Sequence, residues 1–174
     1  MAETLSLEIV TPDGVKLTEA VEIFTAPGVH GEFGVMPRHQ PMLAALTAGI
    51  VTYTHAGIME SVAIGPGFAE LADDKAVILT LHFATKSEID PVKVRVELKE
   101  VDAELESFKG DPNQPEYAAL VARELWAATQ LELHGDPPPP RIRSVSELSS
   151  DPVEHYRVAP PAEGSEGSEG HASN

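Results

Sequence analysis

An α+β fold, with an N-terminal β-sandwich, an antiparallel two-helix hairpin and a disordered tail, is predicted for this 174-residue chain by three observations. Short apolar runs broken by turn residues fill the first half of the sequence. An apolar stripe at helical spacing follows. The last segment then loses apolar content altogether.

The sandwich is expected over residues 1–84. Leu5-Ser6-Leu7-Glu8-Ile9 alternates apolar and polar, as a half-buried strand does. Pro12-Asp13-Gly14 supplies the fixed φ and the permissive glycine of a tight reversal. Further strand-like runs are Ala20–Thr25, Met42–Leu46, Ile50–Tyr53, Ile58–Ile64 and Ala76–Leu81. His55-Ala56-Gly57 and Ala72-Asp73-Asp74-Lys75 read as the hairpin loops between them. Six or more short strands in about 80 residues predict a sandwich or flattened barrel.

The helical hairpin is expected over residues 85–134. Val94, Leu98, Val101, Leu105 and Phe108 alternate spacings of four and three, which is one face of a helix. Asp90-Pro91 gives it an N-cap and a first-turn proline. The run from Gly110 to Pro115 breaks the chain. A second helix is predicted from about Glu116 to Leu133, with Tyr117, Val121, Leu125 and Ala128 on its apolar face. Residues 135–174 are expected to be disordered, since they hold four consecutive prolines and a Gly-Ser-Glu repeat, with Ile142–Leu148 as the one part able to dock.

Composition narrows the function classes. The formal net charge is −16, with 3 basic and 10 acidic residues up to Ala84, 6 and 11 from Thr85 to His134, and 3 and 7 beyond. An acidic field spread along the whole chain repels nucleic acid and anionic lipid, so neither is expected as a partner. No run approaches the roughly 20 apolar residues of a membrane span, and no signal or transit peptide is visible. The chain has no cysteine, which excludes thiolate chemistry. It also lacks a Gly-x-Ser-x-Gly elbow and a P-loop, so no catalytic residue and no cofactor are expected.

The segment Ala26-Pro27-Gly28-Val29-His30-Gly31-Glu32-Phe33-Gly34-Val35-Met36-Pro37-Arg38-His39-Gln40-Pro41-Met42-Leu43 is the most distinctive in the chain. Gly28, Gly31 and Gly34 predict a compact, sharply turning loop. Pro37 and Pro41 fix the approach to the next strand. Glu32 and His39 are not required by any turn. This segment resembles the signature of bacterial ATP synthase epsilon subunits, and Ile64-Gly65-Pro66-Gly67-Phe68-Ala69-Glu70-Leu71 resembles a second motif of that family. The resemblance spans about Leu5 to Leu133 and departs at Arg38, where the family usually has glycine.

The resemblance implies a non-catalytic central-stalk subunit that joins gamma to the c-ring while other subunits make ATP. It implies that Gly31 and Glu32 face the c-ring, and that His39, Met42 and Leu43 face gamma. Contacts with the alpha and beta subunits would be transient, and the position would be peripheral, on the cytoplasmic side of the bacterial inner membrane. Some members bind ATP through an Ile/Leu-Asp-x-x-Arg-Ala motif. Here the stretch reads Ile89-Asp90-Pro91-Val92-Lys93-Val94, which replaces a planar fork by a point charge, so no nucleotide site is expected. The hairpin of the family also inhibits ATP hydrolysis. The single Arg123 against Glu116, Glu124 and Glu132 on the second helix predicts that such inhibition is weak here.

One rival expectation comes from a different class. His30, Glu32 and His39 offer two imidazoles and a carboxylate to a metal, which would make the chain a metal-binding β-sandwich enzyme.

Overall fold

The structure, a computed structural model, describes residues 3–139. Its strands are β1 (Leu5–Thr11), β2 (Gly14–Val21), β3 (Ile23–Gly28), β4 (Gly31–Val35), β5 (Met42–Leu46), β6 (Gly49–His55), β7 (Ile58–Ile64), β8 (Gly67–Ala72), β9 (Lys75–Thr80) and β10 (Phe83–Thr85). Helices α1 (Pro91–Ser107) and α2 (Pro115–His134) follow. The sheet runs β10-β7-β6-β3-β5-β8-β9-β1-β2, with β4 paired to β3. Only the β1–β9 pair is parallel. The Glu22 N–H donates to Thr54 O at 2.8 Å, so the end of β2 returns to β6 and the sheet wraps around its own core. The expected sandwich followed by two helices is therefore observed.

Strand alternation builds that core. In β1 the residues Leu5, Leu7 and Ile9 are buried and their neighbours are not. Val21, Phe24, Ala26, Val51, Ile64, Leu71 and Ile78 complete the cluster. The predicted Ala20–Thr25 strand is divided, because the alternation slips at Glu22 between buried Val21 and buried Phe24. Two elements were not anticipated: most of β2, whose face is largely exposed, and the three-residue β10.

The turns follow local chemistry. Asp73 and Asp74 both take positive φ, as do Ala56 and Gly57, which is the pattern of two-residue hairpin turns that match strand twist. The supposed Gly28–Gly34 loop is instead a hairpin. Gly28 pairs with Gly31, and Val29-His30 form its tip. Of its three glycines only Gly31 needs positive φ, at 124°.

Helix α1 begins where predicted. The Asp90 carboxylate accepts from the Val92 and Lys93 N–H groups at 3.1 and 3.3 Å. Helix α2 ends at Gly135, whose φ of 98° lets the Gly135 and Asp136 N–H groups bond back to the last turn. The ends of the tail prediction, residues 140–174 and the Ile142–Leu148 segment within them, lie outside the described residues.

Candidate functional site

The β5, β8, β9 and β1 strands carry two rows of side chains on the face turned away from the core. Register places Leu43, Glu70, Val77 and Glu8 in one row, and Ala45, Phe68, Leu79 and Val10 in the next. The intervening rows, with Leu71, Ala69, Ala76 and Ile78, are buried in the sandwich. Leu43 is 73% exposed, Phe68 55% and Leu79 51%. A groove of about 660 Å³ lies along this face, lined by Val10, Pro12, Pro66, Phe68, Leu79 and Leu81 among others. A contiguous exposed apolar patch on a folded domain marks an interaction surface.

The sequence-predicted residues fall in different places. Leu43 lies on this outer face, but Met42 turns the other way and packs half-buried against the core. His39 is exposed in the β4–β5 connection, with Nδ1 2.9 Å from Gln40 O. Arg38 beside it adopts the left-handed conformation at φ 64°. That explains why glycine suits this position. Its backbone N–H donates to Asp74 Oδ1 at 2.5 Å, and its guanidinium pairs with Glu3. Phe68 and Leu79 were missed, because a Phe-Ala-Glu-Leu run gives no reason to turn its largest apolar residue outward.

Gly31 and Glu32 open β4, both exposed, next to the Val29-His30 tip. They stand apart from the outer face in the strand order, since β4 hangs on β3 alone. The metal reading is not supported. Among the described residues no three His, Cys, Asp or Glu side chains converge on a metal-sized space, so His30, Glu32 and His39 are not assembled. A hairpin tip projects successive side chains to opposite faces, which works against convergence.

A second candidate region is the boundary between sandwich and hairpin. Ala63, Ala84, Ile89, Val94, Ala127, Leu131 and Leu133 form a buried cluster there. The α1 stripe is as predicted, with Val94 and Val101 fully buried. The α2 stripe is not: Leu125 is exposed, and Ala127 and Leu131 make the inward face instead. The sandwich, absent from a two-helix picture, takes the face of α2 rotated from the one read in the sequence. Trp126 stacks on His82, with centroids 5.2 Å apart and planes 25° apart. Arg95 grips Asp136 at 2.5 and 2.7 Å, Arg123 lies 3.5 Å from Glu104, and Phe108 meets Tyr117 at the far end.

Electrostatics at this boundary are local. The Thr85 amide and hydroxyl both donate to Glu88 and hold its carboxyl below the usual range. In the Ile89–Val94 stretch, Lys93 lies 3.6 Å from Asp90, and Val94 is buried. Burial and the acceptor Glu60 at 2.7 Å push the Tyr53 hydroxyl up. A cleft of about 690 Å³ beside Tyr53 is lined by Thr52, Glu60, Ser61, Lys86 and Glu132.

Comparison with known proteins adds three findings. Residues 4–100 match the family described as ATP synthase, Delta/Epsilon chain, beta-sandwich domain. An ATP synthase epsilon chain of Nitratidesulfovibrio vulgaris (strain DP4) is 36% identical over 125 residues, covering 72% of this chain and 93% of that protein. One from Rhodospirillum rubrum is 31% identical over 131 residues, covering 74% and 98%. Among solved structures, a chain of the Euglena gracilis mitochondrial ATP synthase OSCP/F1/c-ring assembly aligns with TM-score 0.55 and 24% identity, over 77% of this chain and 79% of that one. A chain of the Tetrahymena thermophila central stalk/c-ring structure aligns with TM-score 0.50 and 16% identity, over 74% and 95%. The two structural likenesses bear on fold.

Proposed function

The chain belongs to the family of ATP synthase epsilon chains, accessory stalk subunits and not catalytic ones, and from that premise we propose that it couples the gamma subunit to the c-ring of a bacterial enzyme. The observation that carries this reading is the exposed apolar face of Leu43, Phe68 and Leu79 on an otherwise acidic sandwich. Such a face loses unfavourable hydration when covered by a partner, and the polar groups at its rim set orientation.

In this proposal the outer face takes gamma, with His39 at its margin and Met42 supporting Leu43 from the core side. Gly31 and Glu32, on a separate hairpin, take the polar loops of the c-ring. Two docking surfaces on one wrapped β sheet suit a torque-carrying part, because the sheet hydrogen bonds and packed core between them resist shear. Residues 1–84 would then be the rotor-binding domain and residues 85–134 the regulatory one, touching alpha and beta only transiently. No helix of the described residues is long and apolar enough to cross a membrane. We place the subunit peripherally, on the cytoplasmic side of the bacterial membrane.

Affinity purification of the tagged chain from its native host tests the proposal. Recovery of the alpha, beta, gamma and c subunits with it is expected. A chain recovered alone, from membranes that do contain the assembled synthase, overturns the proposal.

A further inference from the structure

The sandwich has three basic residues, and each is engaged. Arg38 pairs with Glu3, Lys75 lies 3.1 Å from Glu8, and Lys16 is near enough to Glu88 to help keep it ionised. Glu70 stands apart. It is exposed in the middle of the outer face, and among the described residues it forms no ion pair and no side-chain hydrogen bond. Lys75, one pair further along the same two strands, is its nearest cationic neighbour by register, and Glu8 holds it from the other side.

The surroundings of Glu70 are apolar. Leu43 and Val77 sit directly across from it on β5 and β9, about 5 Å away by strand geometry. Phe68 lies two residues back on the same face, about 7 Å away, with its ring half exposed. A carboxylate beside an accessible ring, in an apolar surround, fits one kind of group well. A guanidinium can give two parallel hydrogen bonds to the carboxylate and lay its plane on the ring. A lysine ammonium satisfies the charge but not the plane.

We infer that Glu70, with Phe68 beside it, receives a cationic side chain of the gamma subunit, arginine by preference, and so fixes the register of the docked face. The inference rests on the outer face being the gamma-docking surface. When that face closes, Glu70 loses water and opposes docking unless a cation meets it. A misregistered partner leaves it unpaired and is rejected.

The test measures binding of the full chain to the gamma-containing catalytic complex of the same organism, stripped of this subunit, at low and high salt. Glu70→Gln is expected to weaken binding about tenfold at low salt and to flatten the salt dependence, with Glu70→Asp in between. Phe68→Ser probes the face itself, and thermal melts of the free variants establish that they remain folded. If Phe68→Ser weakens binding while Glu70→Gln changes neither affinity beyond about twofold nor its salt dependence, the role of Glu70 is overturned and the docking face stands. If neither substitution weakens binding, the docking face falls and the role of Glu70 with it.

Discussion

The imidazole of His82 lies over the indole of Trp126, joining the sandwich end of the β9–β10 connection to the middle of α2. Stacked aromatic pairs contribute about 1 kcal/mol beyond area burial. Because Trp126 is the sole tryptophan of the chain, its emission reports hairpin docking directly. His82→Ala should shift that emission to the red and lower hairpin stability by about 1 kcal/mol, read by denaturant titration. An unchanged spectrum and midpoint would mean that the Ala63–Ala127–Leu131 cluster alone holds the hairpin.

Arg38 provides a test of backbone strain. A non-glycine residue in the left-handed region costs about 1–2 kcal/mol, and its exposed pairing with Glu3 returns less than that. Arg38→Gly should therefore leave stability equal or raise it by up to about 1 kcal/mol. Arg38→Val, which is β-branched, should lower it by about 1–2 kcal/mol. Chemical denaturation of the two variants compares them, and the reverse ranking would refute the strain reading.

Acid sensitivity of α1 follows from its cap. The Lys93 N–H foremost, and then that of Val92, hold the Asp90 carboxyl below the ordinary carboxylate range. A depressed folded pKa stabilises fully above the unfolded value, and the contribution is lost as pH falls through the folded one. Stability should thus drop below about pH 4 more steeply in the wild type than in Asp90→Asn, which caps without titrating. Parallel acid limbs in thermal melts would contradict this.

The domain order and the α1 stripe were legible in the sequence because both depend on periodicity alone. Asp90-Pro91 and the Asp-Asp turn were legible because caps and turns are local. The α2 face was not, since Ala127 and Leu131 are chosen by the sandwich surface that α2 meets, and no helical wheel contains that surface. The outer face was only partly legible: Leu43 came from a family resemblance, whereas Phe68 and Leu79 required the register that aligns β5, β8 and β9. Met42 shows the limit of proximity in sequence, because one step along a strand reverses its face.

Inhibition of ATP hydrolysis by the hairpin is expected to be weak. Arg123, the one cation in α2 before its final histidine, is already beside Glu104 of α1. Opening the hairpin would break that pair and Arg95–Asp136, and would expose Val94 and Val101 to water. Truncation after Ala84 should change hydrolysis by the assembled enzyme less than about twofold, since an acidic helix gains little from an acidic target. A several-fold rise would show that apolar docking of the opened hairpin outweighs the charge mismatch.

The central claim is that two separate surfaces of the sandwich meet two different partners, and the absence of cysteine makes it directly testable. Leu43→Cys and Glu32→Cys each give the chain one attachment point for a short photoactivatable crosslinker, within the assembled synthase. Capture of gamma from position 43 and of subunit c from position 32 is the expected result. Capture of neither partner, or the same single partner from both positions, would contradict the two-surface arrangement.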